Sequence, residues 1–272
     1  MPSPEATTHQ FTINALLYGP IKPCQELNRQ RQRVLKGHSQ GKDFFTEITL
    51  QDHSQSGTMK VEYSVTAQSP CSAERVGAVY LSQLCDLLSV ATRCGVRFYM
   101  PDDDARDERI QQSRRSTTVD RILTVPEWEW VTGNLVFFRR KHPRFLAAAS
   151  WYRKGLLGKD ALDDFCCFWR VIERLAASYS DKSKIPESDR GKAKFQIDQL
   201  LTDLFPSGSP PVLSDEKQRN LCHKLRNDLS HGNVPITVEL IDQVTSYVQP
   251  LEDAAYAVLD AIRQNKLIDS SE

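Results

Sequence analysis

Leu225-Arg226-Asn227-Asp228-Leu229-Ser230-His231-Gly232 is the stretch on which the reading of this chain turns. With Leu221 and Cys222 ahead of it, Leu225 and Leu229 recur at helical spacing, which predicts an amphipathic helix. At about 100° per residue these side chains form one stripe roughly 100° wide, the face expected against a core. Arg226, Ser230, Asn227 and His231 fall at about 140°, 180°, 240° and 280° from Leu221, the side turned away from that core. Gly232 is suited to close the helix as its C′ residue, so His231 belongs to the last turn. There the negative end of the helix dipole favours a cationic imidazole. The helix end, so read, presents a permanent cation, an amide and a titratable ring together toward solvent.

Upstream of this stretch, from about Glu127, the pattern is helix after helix. Trp128, Trp130, Val131, Leu135 and Phe138 suit a first; Pro143 opens a second that runs through Phe145, Ala149, Tyr152 and Leu156 to Gly158. Asp160 can cap a third, with Asp163 in its first turn. Leu162, Phe165, Cys166, Trp169, Ile172 and Ala176 give that helix a strong apolar stripe. Glu173 falls about 80° from Phe165, inside the stripe. A carboxylate there is costly unless paired, and Arg226 is the expected partner. Two readings of the pair stand side by side: an ion pair that only fixes two helices, or a carboxylate that orients Arg226 toward a phosphate. Phe195, Ile197, Leu200, Leu201 and Leu204 mark a fourth helix, stopped by Pro206-Ser207-Gly208-Ser209-Pro210-Pro211. Ser214 is expected to cap the fifth, which carries Arg226 and His231. Thr237 is expected to cap the last, which runs to about Lys266 with a kink at Pro250. Short connections favour a compact antiparallel bundle.

The first half reads differently. Gln10–Tyr18, Phe44–Leu50 and Met59–Gln68 are strand-like, the last alternating Val61, Tyr63 and Val65 on one face. Ala73–Arg93 carries Val76, Val79, Leu81, Leu84 and Leu88 at helical spacing, and Val96–Met100 and Arg121–Val125 can return to the sheet. Lys22–Lys42 is polar and basic; it reads as a solvated loop or frayed helix, or alternatively as a contact to an RNA backbone through Arg29, Arg31, Arg33 and Lys36. Asp102, Asp103 and Asp104 read as a solvated loop, since consecutive side chains do not converge on a metal. The fold class is therefore α+β: a mixed N-terminal domain over 1–126 and an all-α antiparallel helical bundle over 127–272.

Composition narrows the function classes. The 272 residues carry equal numbers of basic and acidic side chains, so nucleic-acid contact requires a local patch. Hydrophobic content of 40% and charged content of 26% are ordinary for a globular protein. No apolar run is long enough to span a bilayer, and Met1–Gln10 lacks the apolar region of a signal peptide; the expectation is a cytoplasmic protein without membrane contact. Seven scattered cysteines without metal-ligand spacing suit reduced thiols. Neither a metal nor another cofactor is expected.

Arg226-Asn227-Asp228-Leu229-Ser230-His231 resembles the Arg-x4-His signature of the HEPN superfamily, including the polar residue after the arginine. Trp151-Tyr152-Arg153-Lys154-Gly155-Leu156, then Asp160, then Asp164-Phe165-Cys166-Cys167-Phe168-Trp169-Arg170-Val171-Ile172-Glu173-Arg174-Leu175 looks like the Apea-like branch, which includes MauJ-type proteins. The resemblance covers roughly 127–272. It implies a helical domain that dimerises and acts as a metal-independent endoribonuclease, in a toxin or antiviral-defence setting, with the N-terminal domain used for sensing, regulation or assembly.

The chemistry of that implication follows from the residues. Attack by a ribose 2′-hydroxyl needs a base, an acid for the leaving 5′ oxygen, and positive charge on the phosphorane. His231 can titrate near neutral pH, Arg226 can hold two phosphate oxygens in its fork, and Asn227 can orient the imidazole or contact phosphate. One His231 does not easily act as acid and base together, so a twofold-related copy is expected to supply the second. The products would be a 2′,3′-cyclic phosphate and a 5′-hydroxyl. His223, about 80° around the helix and two turns from His231, is read as a bystander, and the tryptophans as packing residues. The alternative function is a non-catalytic HEPN subunit that scaffolds another effector or restrains a partner toxin.

Overall fold

Alternation dictates the first sheet. In β5 (Thr58–Ala67) Met59, Val61, Tyr63, Val65 and Ala67 are buried while most intervening residues are half exposed, the period-two pattern of a strand covered on one face. The computed structural model describes residues 9–27, 31–39, 43–52, 58–100, 121–265 and 267. β5 pairs antiparallel along its whole length with β1 (His9–Tyr18), and on its other side with β4 (Asp43–Asp52). β3 (Arg31–Ser39) pairs with β4, and β6 (Arg97–Tyr99) with the end of β1, giving the order β3-β4-β5-β1-β6. The basic Lys22–Lys42 stretch, expected as loop or frayed helix, thus supplies a sheet strand over Arg31–Ser39: pairing with β4 outweighs its polar composition. β2 (Ile21–Pro23) and β7 (Arg121–Leu123) form a separate parallel pair, so only β6 of the two expected returning strands joins the main sheet. The Asp102–Asp104 run lies outside the described residues.

α1 (Pro70–Thr92) starts at Ser69, whose hydroxyl accepts from the Ser72 amide, and buries Ala73, Tyr80, Leu81, Leu84 and Leu88 against the sheet. Val79, expected on the core face, is exposed, and Tyr80 takes the buried place beside it. α2 (Val125–Lys141) opens with a reciprocal capping box between Thr124 and Glu127 and packs on α1 and β3. The chain divides into compact units at His142/Pro143, one helix beyond the change of pattern at 126/127, because α2 packs with the sheet unit.

The second unit is helical. It comprises α3 (Pro143–Leu156), α4 (Ala161–Tyr179), α5 (Ala193–Leu204), the single turn α6 (Pro211–Ser214), α7 (Glu216–His231) and α8 (Val238–Asn265). α4 is its hub, packing against α3, α5, α7 and α8. Phe165, Phe168, Trp169, Val171, Ile172, Leu175 and Ala176 are all buried, so apolar residues wrap most of the α4 circumference, as a helix with four neighbours requires. Asp160 caps α4 by accepting from the Leu162 amide at 2.7 Å, and Thr237 caps α8 by accepting from the Leu240 amide at 3.2 Å. The cap of α7 is Asp215, not Ser214; Ser214 ends α6 and its hydroxyl donates to Pro211 O. α8 continues through Pro250. The molecule is α+β, and among the described residues no helix is long and apolar enough to cross a membrane.

Two positions at the α3–α4 junction test this packing. A Cβ on Gly155 would stand 2.6 Å from the Phe168 ring. Gly155→Ala is therefore expected to cost about 1–3 kcal/mol by overpacking, read as a lower urea midpoint at unchanged slope. Asp164 Oδ1 is buried with no hydrogen-bond partner, and burial, with Asp160 and Asp163 nearby, pushes its carboxyl up to about 6. The folded state then holds this proton longer than the unfolded chain, so the Asp164 contribution is greatest below about pH 4 and is lost as pH rises through about 6. Asp164→Asn should flatten that decline in a pH series of thermal midpoints. Its gain at pH 7 should stay below about 1 kcal/mol, because the carboxylate is partly exposed.

Candidate functional site

α7 is anchored by Cys222 and Leu225, both buried, and ends where the sequence predicts. Gly232 adopts φ 64°, its amide reaches Asp228 O and Leu229 O, and the Asn233 amide donates to Asp228 O at 2.9 Å. Only a residue without a Cβ takes this left-handed closure without strain. His231 is thereby the last helical residue, exposed beside the free carbonyls of the final turn. Among the described residues it makes no hydrogen bond or ion pair.

The arginine points the other way. Arg226 Nη2 donates to Glu173 Oε2 across α4 and α7, and Nη1 donates to Asn227 Oδ1 at 2.7 Å. The second oxygen of Glu173 accepts from Trp169 Nε1 at 3.0 Å. Asn227 Nδ2 stands 3.2 Å from His223 Nε2. With Oδ1 already accepting from Arg226, the amide nitrogen is the donor, so neutral His223 carries its proton on Nδ1. That nitrogen lies 3.6 Å from Glu173 Oε1, and the ring centroid is 6.2 Å from that of Trp169. Glu173, Arg226, Asn227 and His223 therefore form one polar circuit resting on an indole, hydrogen-bonded in series as far as His223 Nε2, while the buried His223 Nδ1 has no hydrogen-bond partner among the described residues. The Glu173 and Arg226 side chains keep 13% and 20% of their exposure, so the pair is largely withdrawn from water.

The expected Glu173–Arg226 pairing is present, and Asn227 joins it. The expected outward face combining Arg226 with His231 is not. Five residues separate them, about 140° around the helix, and pairing with Glu173 turns Arg226 toward α4. His223, read as a bystander, is a member of the circuit. The pointer to it was the His223-x3-Asn227-x3-His231 spacing, which sets three polar residues along one side of a helix. Trp169 also does more than pack, since its indole N–H orients the carboxylate. Arg31, Arg33 and Lys36 fall on β3 in the sheet unit, with side chains outside the description, and Arg29 lies outside the described residues altogether.

Neighbouring thiols are poor nucleophiles. Burial pushes Cys222 and Cys167 up to about 11 and raises Cys166 too, so none is a thiolate at neutral pH. Among the described residues no group of three or more His, Cys, Asp or Glu side chains gathers in a way that could hold a metal ion. Beside the circuit an open cleft of about 370 Å³ is lined by Trp151, Arg170, Glu173, Arg174, Ala177 and Arg226. A larger space of about 540 Å³ lies in the sheet unit between β1 and α1, over Phe11, Ile13 and Ala73; its lining brings only Glu74 and Arg75 as charged groups and no acid–base pair with a nucleophile. The chemically equipped site is the one on α4 and α7.

No family model matches this chain, and neither comparison, with curated proteins or with solved structures, returns a match.

Proposed function

We propose that this chain is a metal-independent endoribonuclease of the HEPN type, acting as a regulated toxin or antiviral-defence effector. One observation carries the reading: the guanidinium of Arg226 is held by Glu173 and Asn227 at the wall of an open, arginine-rich cleft, while the same helix ends in an exposed, unpaired His231. In the reaction, His231 removes the 2′-hydroxyl proton and the 2′ oxygen attacks the adjacent phosphorus. Arg226 stabilises the negative charge that builds on the phosphorane. The P–O5′ bond breaks with its electron pair going to the 5′ oxygen, which takes a proton from an imidazolium. The products are a 2′,3′-cyclic phosphate and a 5′-hydroxyl.

The second imidazole comes from a second copy. Three of the five exposed large apolar side chains among the described residues, Ile236, Val238 and Ile241, fall within the six positions 236–241 around the start of α8, shortly after Gly232. They are 66%, 69% and 40% exposed, a concentration of apolar surface that supports a twofold contact next to His231. The same geometry keeps one alternative in view. Within one chain Arg226 is already committed to Glu173 and His231 stands apart, as suits a subunit that binds or scaffolds an effector without cutting.

Purified protein incubated with RNA in chelator should generate 2′,3′-cyclic phosphate ends. His231→Ala should lower that rate by about 10²-fold or more with an unchanged thermal midpoint, because the His231 side chain is exposed. Arg226→Ala should lower it comparably, but with some loss of stability, since Glu173 is left largely withdrawn from water without its cation. Equal behaviour of all three proteins on RNA supports the scaffold reading instead. Ile241→Glu is expected to shift sedimentation toward the monomer and to make cleavage steeply dependent on protein concentration; a dimeric, fully active variant removes α8 from the interface.

A further inference from the structure

The cleft beside Arg226 has a charge pattern that the hydrolytic step alone does not need. Arg170, Glu173, Arg174 and Ala177 occupy positions i, i+3, i+4 and i+7 of α4, so they form one continuous strip along its exposed side. Trp151 of α3 closes the strip on one side and Arg226 of α7 on the other. Three guanidinium groups thus meet one carboxylate, and that carboxylate is already bonded to Arg226 and Trp169. Among the described residues, neither Arg170 nor Arg174 pairs with an acidic side chain. In a chain with no net charge, such a local excess inside a recess is a focused positive field.

Two further observations indicate what the recess is shaped for. The indole of Trp151 is half exposed and carries cations on its ring: Arg170 lies 4.5 Å and Lys154 4.3 Å from the centroid. Stacking of this kind restrains long side chains that would otherwise sample many rotamers, so their charges are already placed. Arg226 Nε is buried and has no acceptor among the described residues, although both of its Nη atoms do. Held through both Nη atoms, the guanidinium has a fixed place at the cleft wall. The cleft volume of about 370 Å³ is of the size that receives a small polar group or a short segment of a chain.

We infer that this cleft is a phosphate-backbone subsite for single-stranded RNA, in which Arg170 and Arg174 contact phosphates flanking the one handled by Arg226, and Trp151 is the positioning residue that holds Arg170 and Lys154 in place. The inference deepens the ribonuclease reading and rests on it for the identity of the polymer. The guanidinium forks contact phosphate oxygens and no base edge, so affinity here depends on salt and hardly on sequence. A strand laid along α4 passes Arg226, which borders the strip at Glu173 between Arg170 and Arg174.

The test separates binding from cleavage by using the full chain with His231→Ala. On a short labelled single-stranded RNA, affinity is measured across a salt series for this protein and for the same protein with Arg170→Gln and Arg174→Gln. The double change should weaken binding by about tenfold or more at moderate salt and lower the slope of log affinity against log salt by about 1.4, the share of two single-strand contacts. Arg170→Lys with Arg174→Lys should retain most of the slope, and Trp151→Leu should weaken binding with a smaller slope change, because charge is kept while placement is lost. Should the Gln variant lose its helical signal, the Lys pair and Trp151→Leu carry the same comparison. An unchanged affinity and slope in the Gln variant overturns the subsite. If wild type then still cuts RNA, the ribonuclease reading survives without it. If instead the cleft residues control binding but wild type cuts nothing, the subsite stands and the nuclease reading falls. Equal competition by inorganic phosphate and by the RNA strand at matched phosphate concentration would show an anion site with no preference for a chain, and would overturn the backbone assignment.

Discussion

Glu173 sits where a helix that touches four others has least tolerance for charge, and the second unit is arranged around satisfying it. A carboxylate withdrawn from water costs several kcal/mol unless its oxygens find donors. Here Trp169, one turn earlier on α4, supplies one donor, and Arg226 from α7 supplies the other. The second of these bonds fixes the rotation of α7 about its own axis. Once Arg226 is drawn to α4, Leu225 and Cys222 enter the core, and the last residue of the helix turns to solvent.

Much of this was legible in the residues. The alternation of β5, the caps at Asp160 and Thr237, the stripe of α4 and the left-handed end at Gly232 are local signals, each written within a few positions of the feature it makes. The pairing of Glu173 with Arg226 was legible too, because a charge inside an apolar stripe demands a partner and few were on offer. Other features decided by packing between elements were not legible. Arg31–Ser39 looks like a solvated loop because its composition is polar; it is a strand because β4 offers a ladder. Val79 has helical spacing, yet Tyr80 is the residue the sheet unit buries. Arg226 was placed outward by counting angles from Leu221, but a bond to a neighbouring helix outweighs a border position on a helical wheel. His223 was discounted for its distance from His231, when the relevant neighbour was Asn227, one turn away.

The electrostatic organisation explains how a neutral chain can present a cationic site. Some charges among the described residues occur in local pairs, such as Lys184 with Asp203 and Lys192 with Asp189, which cancel within a few ångströms. On α4 the balance is broken deliberately by sequence spacing: Arg170 and Arg174 share a side with Glu173, whose charge is spent on Arg226. The remaining field belongs to the cleft and is not diluted by the rest of the molecule. Trp151 adds order by gathering Arg170 and Lys154 over one ring.

The proposed chemistry also gives the Glu173 pairing a kinetic sense. A bare guanidinium in a cleft would grip a phosphodiester in its ground state nearly as well as in the transition state, which lowers KM without raising kcat. With Glu173 already compensating it, Arg226 attracts the singly charged diester weakly. As the phosphorane gathers a second negative charge, the same guanidinium has more to gain, and its position costs no further reorganisation because Asn227 and Glu173 hold it before substrate arrives. The tempering of Arg226 and the isolation of His231 then work together: one chain has a muted electrophilic group and half of an acid–base pair. Activity in this scheme belongs to the assembled pair of helix ends, and whatever brings two copies together governs it.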